Sequence, residues 1–350
     1  MIMNKISMLV VLLFVAATGS FAQQIDFSMV PYRSGDKWGY ASPDNKVVIQ
    51  PKYAEAGWFS EGYAAVKVGS KWGYINKAGQ LVIPAKFTVA KSFRKGYMPN
   101  SKDNGGDSIL FAGASLQASG YEICINSKGV TLSKCPAIPE NSVAENRAPL
   151  ETVMQQKTYS LPNNDGLFDK IENDYKIAGS DETYYIAQKG SSYGVFNSKF
   201  ETVVPFGYSA IKLVKSGGNQ YLKVTKDGKS GLLAPGGQSI IEPSNTDVTL
   251  VNASNNAEYV IVQHDGKSFV KDINNKDIID KGYSEIVYDD GGFVVTADNK
   301  LKGYYFLNNT YIQPKYTEVK MMPGGRYLQV RTFAGKTGYI SPSGSEYFVE

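Results

Sequence analysis

Lys37-Trp38-Gly39-Tyr40, then Val47-Val48-Ile49-Gln50-Pro51-Lys52-Tyr53, then Phe59-Ser60-Glu61-Gly62-Tyr63, form a passage that the chain immediately writes again. The second copy is Lys71-Trp72-Gly73-Tyr74-Ile75, Leu81-Val82-Ile83-Pro84-Ala85-Lys86-Phe87 and Phe93-Arg94-Lys95-Gly96-Tyr97. Trp38 and Trp72, Phe59 and Phe93, and Gly62 and Gly96 each stand 34 residues apart. A fixed period of this size marks a repeat architecture, in which one supersecondary unit buries its apolar face against its neighbours.

Outward from this stretch the pattern decays and then resumes. Ile123-Cys124-Ile125-Asn126-Ser127-Lys128-Gly129-Val130 keeps only a strand-turn-strand centre. Further units centre on Gly194, Gly231, Phe269, Gly303 and Gly338, at steps of 37, 38, 34 and 35 residues. Each pairs an apolar doublet after the glycine position with a second apolar run, such as Val203-Val204-Pro205 or Ile312-Gln313-Pro314. A Tyr- or Phe-led strand precedes most units, as in Tyr221-Leu222-Lys223-Val224 and Tyr327-Leu328-Gln329-Val330. One period therefore reads as three short antiparallel strands joined by Gly- and Asn-rich turns. Proline in the last strand cannot donate to a ladder and marks a strand end or sheet edge.

The expected fold class is all-β: tandem three-stranded antiparallel units forming an open, twisted β-hairpin solenoid. An irregular β-propeller is the alternative. Propeller blades usually have four strands and ~40 residues or more, whereas these units are shorter and interrupted in the middle. The domain reading is 1–22 signal peptide, 23–135 N-terminal repeat array, 136–165 proline-containing linker or insertion, and 166–350 C-terminal degenerate array. Pro136, Pro139, Pro149 and Pro162 lie among polar residues in that linker.

Within a strand, alternation puts Trp38 and Tyr40 on one face and Gly39 on the other, and likewise Trp72, Gly73 and Tyr74. A glycine in a strand interior admits a close neighbour that a Cβ would block. The rings read first as a core ladder, with stacking on sugars as the alternative. These residues, Lys-Trp-Gly-Tyr-Ile, then Val-Ile-Pro with a following aromatic, then Phe-x-x-Gly-Tyr, resemble the WG-repeat family, also called KWG repeats. The resemblance is specific in Lys37 to Tyr97 and clear in Gly303 to Val319. It implies an all-β tandem array in exported or surface bacterial proteins, with no catalytic residues to carry over. Gly194, Gly231, Gly303 and Gly338 continue the structural motif in worn form.

The 350 residues carry a formal net charge of +4 at pH 7, with 24 Tyr and 35 Gly. That balance builds no global field for nucleic acid, and the Tyr, Val and Ile enrichment between turn residues is a β composition. Lys5, the apolar run Met8 to Ala17 and the small residues of Ser20-Phe21-Ala22 read as a secretory signal peptide cleaved near Ala22. Export to the periplasm or medium follows, with no transmembrane segment in the mature chain. It also makes the two cysteines, Cys124 and Cys135, a possible disulfide, the alternative being two free buried thiols.

No chemistry announces itself. His264 is the single histidine, and it sits in a turn. No metal, phosphate-loop or nucleophile-elbow pattern is present, and no catalytic residue, cofactor or metal is expected. One regularity exceeds the core pattern: Lys37, Lys71, Lys229, Lys267 and Lys336 recur two positions before the motif glycine or its equivalent. They read as solvated hairpin residues that discourage edge association, or as a binding row for an anionic polymer or acidic surface. The preferred function is a non-catalytic exported binding or scaffolding module for a protein or an envelope or extracellular glycan. The alternative is a glycan-active hydrolase using Asp and Glu on a propeller-like fold.

Overall fold

The computed structural model describes residues 25–98, 108–117, 120–138 and 166–350. Residues 1–22, read as a signal peptide, and 139–165 of the expected linker lie outside the described residues. Every regular element described is a β-strand, all pairings are antiparallel, and no described sheet closes into a barrel. The chain forms two compact units, Met1–Ala148 and Pro149–Glu350.

In the C-terminal unit the first sheet runs Lys170–Lys176, Thr183–Lys189, Ser192–Asn197 and Thr202–Tyr208 in spatial as well as chain order. The next sheets follow the same plan: Ala210–Ser216 to Ser239–Asn245, Asp247–Asn252 to Asp277–Tyr283, and Glu285–Tyr288 to Tyr311–Tyr316. Glu318–Met321, Leu328–Arg331 and Thr337–Ile340 form a last, three-stranded sheet. Full units thus carry one strand more than the three read from sequence. The added strand is the first of each sheet, and from the second sheet of the unit onward no separate turn divides it from the strand before. A single residue (Ser209, Thr246, Ser284 or Thr317) carries the chain from one sheet into the next. Its N–H bonds a carbonyl of the second strand: Ser209 to Thr225 at 2.8 Å, Thr246 to Gln263 at 2.7 Å, Ser284 to Thr296 at 2.9 Å. Backbone groups at the crossing are thereby satisfied without a loop.

Consecutive sheets pack face to face, and each interface is a core of its own. Tyr175, Ile186 and Val204 meet Ile211, Leu222 and Val224. Tyr221, Leu232 and Ile241 then meet Val248, Val260 and Val262. Ile279 and Tyr283 pack on Phe293 and Val295, and Tyr304 and Tyr316 on Leu328 and Val330. Each sheet therefore touches mainly its neighbours in sequence, the solenoid-like logic of a tandem array.

The N-terminal unit holds the two cleanest repeats. Val30–Ser34, Lys37–Ala41 and Val47–Tyr53 pair in order, and Tyr63–Val68, Lys71–Asn76 and Leu81–Phe87 repeat the arrangement. Val47–Tyr53 and Leu81–Phe87 share one alternation of burial, with only Ile49 and Tyr53, or Ile83 and Phe87, fully inside. A third sheet joins Val89–Ala90, Arg94–Tyr97, Ser108–Ser115 and Ile123–Asn126. Tyr40, Ile49 and Tyr53 pack against Phe59, Val66 and Ile75; Tyr74, Ile83 and Phe87 against Phe93, Ala112 and Ile125.

Candidate functional site

The Trp-Gly-Tyr strand and the strand after it share one irregularity. Trp38 pairs with Tyr53 and Tyr40 with Ile49, so Gln50, Pro51 and Lys52 bulge across Gly39. Trp72 with Phe87 and Tyr74 with Ile83 repeat this over Gly73. The bulged backbone lies on the glycine. A Cβ on Gly73 would come within 2.6 Å of Ile83 O and 2.8 Å of Ala85 N; on Gly39 it would overlap Ile49 O more closely still. Gly194, Gly231 and Gly303 face the backbone of Val204, Ile241 and Ile312 in the same way, while Gly338 lies under the Phe348 ring. The proline fits because a bulged residue has no ladder bond to donate.

One repeat lacks the glycine, and the exchange shows what it does. Phe269 takes its place, and the facing bulge gains Gly282, whose missing Cβ leaves room for the Phe269 ring at 2.9 Å. Ser268 still pairs with Tyr283 and Val270 with Ile279. The space is conserved within this chain, although the residue that creates it changes strand.

The motif tyrosines Tyr40 and Tyr74 tie their sheets to the segment that follows, whereas Tyr304 bonds a residue upstream in its own sheet. Tyr40 and Tyr74 are completely buried, and their hydroxyls donate to Gly57 O and Lys91 O, each at 2.8 Å. Tyr304 donates to Asp289 O at 2.5 Å. Burial pushes the Tyr74, Tyr175 and Tyr304 phenols far above their usual range, so these hydroxyls remain donors. Trp38 and Trp72 are half-buried and pack against the two N-terminal cores.

The five motif lysines share a position in the hairpin. Lys37, Lys71, Lys229 and Lys267 each open the strand that carries the motif glycine or its equivalent, and Lys336 directly precedes Thr337–Ile340. Their environments differ. Lys267 forms an ion pair with Asp298, whereas neither Lys37 nor Lys71 has a carboxylate partner among the described residues. Lys37 and Lys71 belong to one compact unit and the other three to the second.

A second lysine position escaped the sequence reading. Lys52 lies 5.2 Å from the centre of the Tyr53 ring, Lys86 5.3 Å from Phe87, Lys281 5.5 Å from Tyr283 and Lys315 5.2 Å from Tyr316. The signal was present as Pro-Lys-Tyr, Ala-Lys-Phe and Pro-Lys-Tyr at strand ends. Without the bulge, nothing indicated that these lysines lie at the same sheet end as the motif lysines.

Cys124 and Cys135 are joined in a disulfide with Cα atoms 5.2 Å apart, closing the hairpin of the third N-terminal sheet. His264 is exposed and bonds the adjacent Asp265 at 3.1 Å. Among the described residues no group of three or more His, Cys, Asp or Glu is placed to hold a metal. A cavity of about 260 Å³ in the C-terminal unit is lined by Val214, Lys215, Lys223, Leu232, Val248, Thr249 and Leu250. Its lining contains no carboxylate; Asp247 stands beside it, 2.6 Å from Lys223. Burial works against the Asp247 carboxylate, but the bonds from Lys223 and the Val248 N–H outweigh it and hold its pKa below the usual value.

The WG containing repeat matches this chain at residues 38–72, 72–105 and 193–229, so the resemblance holds in three places. No curated protein matches the chain. Solved structures similar to it include a eukaryotic initiation factor, 12% identical, covering 89% of this chain and 80% of that one at a TM-score of 0.30. Dihydro-heme d1 dehydrogenase NirN in complex with DHE is 10% identical, with 93% and 73% covered and a TM-score of 0.29. The Dos1 propeller is 12% identical, with 83% and 79% covered and a TM-score of 0.26. Likeness this slight carries no argument about what the chain does. No helix among the described residues is long and apolar enough to cross a membrane.

Proposed function

We propose that this chain, an all-β array carrying WG repeats, is a non-catalytic binding or scaffolding module that acts after export, in the periplasm or outside the cell. Its ligand is a protein or an envelope or extracellular glycan. The observation behind this reading is the division of labour within the repeat. Glycine, buried tyrosine and proline are committed to the bulge and to the joint between sheets. The hairpin ends carry the polar variation, and a tandem array offers those ends in register for several weak contacts at once.

The test is retention. The exported chain, immobilised and challenged with envelope extract, should hold a protein or glycan that a scrambled-surface control does not. Turnover of an envelope glycan, abolished by a single Asp→Asn or Glu→Gln change, would replace this reading with a hydrolytic one. N-terminal sequencing of exported protein should begin at Gln23; retention of Met1 would remove the export step.

A further inference from the structure

The charge of this chain is not evenly spread. Residues 25–138 carry 14 Lys and Arg against 8 Asp and Glu, whereas residues 166–350 carry 20 against 21. The formal excess that looks mild over the whole molecule is therefore concentrated in the N-terminal unit.

Within that unit the excess has a place. The pairs Trp38 with Tyr53 and Trp72 with Phe87 set Lys52 diagonally across from Lys37, and Lys86 diagonally across from Lys71, near one end of each sheet. The two ends adjoin. Ala54, directly after Tyr53, donates to Lys67 O at 2.8 Å, and Lys67 pairs in turn with Trp72. By this register Lys37 lies opposite Ala54, so strand steps of about 5 Å place Lys52 roughly 10 Å from Lys71 and Lys37 roughly 15 Å from it, with Lys86 one strand beyond. None of the four lysines has a carboxylate partner among the described residues; Lys86 donates to a carbonyl, Gly129 O, at 3.5 Å. Two carboxylates stand near them. Glu55 is engaged by Lys67 at 2.6 Å, and Asp36 has Ser70 as its counterpart in the second repeat.

The C-terminal unit treats its lysines differently. Lys223, Lys271 and Lys315 bond Asp247, Asp277 and Glu346 at 2.6 to 2.7 Å, and Lys267 bonds Asp298. At the positions equivalent to these four, Lys267 and Lys315 are thus neutralised in place, whereas Lys229 and Lys281 have no carboxylate partner among the described residues.

We infer that Lys37, Lys52, Lys71 and Lys86 form one binding rim on the N-terminal unit for a polyanionic glycan bearing carboxylate or sulfate groups. The inference rests on the binding-module reading above and assigns its ligand class. Charges repeated at the spacing of the protein's own units suit a polymer that repeats its charge. An acidic folded surface has no such regularity, so it is the weaker fit. At ~0.1 M salt the screening length is about 10 Å, comparable to the step from one lysine to the next, so a polymer laid along the rim meets the four in succession.

The experiment uses immobilised polygalacturonate and dextran sulfate, with neutral dextran as control, and the whole exported chain. Both polyanions should bind wild type, neutral dextran should not, and binding should fall steeply between low and physiological salt. The variant K37Q/K52Q/K71Q/K86Q should bind roughly thirtyfold more weakly, the combined loss of four exposed charge contacts of ordinary strength. The variant K199Q/K212Q/K226Q/K276Q, with the same charge change in the C-terminal unit, should bind like wild type. Equal weakening in both variants would overturn the rim, as would salt-independent binding by wild type, a readout that needs no variant to fold. Failure to hold either polyanion, with a protein still retained from envelope extract, would overturn the glycan assignment and leave the binding module standing.

Discussion

Gly73→Ala should destabilise the protein, against the usual sign for this substitution in an extended strand. Replacing glycine by alanine ordinarily stabilises by about 0.4–1 kcal/mol, because the unfolded chain loses freedom. Here the new methyl would stand 2.6 Å from Ile83 O and 2.8 Å from Ala85 N, where unstrained contacts are about 3.5 Å. The obstacle is backbone, held by the ladder on one side and by the buried Ile83 and Phe87 on the other. Relief requires the bulge to lift by most of an ångström. Overpacking of that kind costs about 1–3 kcal/mol, leaving a net loss of roughly 1–2 kcal/mol after the entropic gain. For a unit of this size the melting temperature should fall by roughly 4–10 °C, read by circular dichroism on the whole chain. Gly39→Ala, with a closer overlap, should cost more than Gly73→Ala. Gly303→Ala should likewise exceed Gly194→Ala, whose nearest backbone atom is 2.9 Å away. Gly282→Ala meets the rim of the Phe269 ring, which can swing aside, and should cost least. A neutral or stabilising Gly73→Ala would refute the claim that glycine is there to admit the bulge.

Reduction of the Cys124–Cys135 disulfide, which closes a separation of 11 residues, should cost the N-terminal unit at most ~3 kcal/mol and leave the melting of the C-terminal unit unchanged. An equal shift in both transitions would contradict it. The Tyr74, Tyr175 and Tyr304 phenols are raised by burial, so their contribution is complete below the ordinary phenol value of 10.0 and is lost as pH rises toward their folded values. Phenolate absorbance should therefore show a class of tyrosines that ionises only on unfolding; a single titration near pH 10 would exclude it. Asp247 has a lowered pKa, so its pairing with Lys223 contributes above the ordinary carboxylate value of 3.8 and fades as pH falls through the folded value. Asp247→Asn should therefore be less stable than wild type at pH 7, and the gap should close at low pH. A gap that persists there would assign the loss to packing instead.

The repeat, its all-β character and the importance of glycine were legible because Trp-Gly-Tyr and Val-Ile-Pro recur at a fixed spacing with period-two alternation. The first strand of each sheet was not. A segment such as Asp247-Val248-Thr249-Leu250 follows Asn245 after a single threonine, and strand boundaries are read from turn residues that this joint does not need. The bulge was hidden for a related reason. Proline in Val47–Tyr53 suggested an edge or an end, but only the register shows three residues crossing over one glycine. Phe269 therefore looked like a decayed motif, when Gly282 on the facing strand restores the space. The lysines of the rim were half legible: Lys37 and Lys71 stood out by their spacing from glycine. Lys52 and Lys86 needed the pairing of Trp38 with Tyr53 and Trp72 with Phe87 to bring them to the same end.

Amide hydrogen exchange at the one-residue joints tests most directly whether the repeating unit is a sheet stitched to the next without a loop. Thr88, Ser209, Thr246, Ser284 and Thr317 each donate their N–H to a strand carbonyl at 2.7 to 2.9 Å. Their amides should exchange as slowly as those of the strands on either side. Exchange as fast as that of the hairpin tips Gly69, Gly228 and Gly266 would mean that the joints are loops and that the extra strand is not part of the unit.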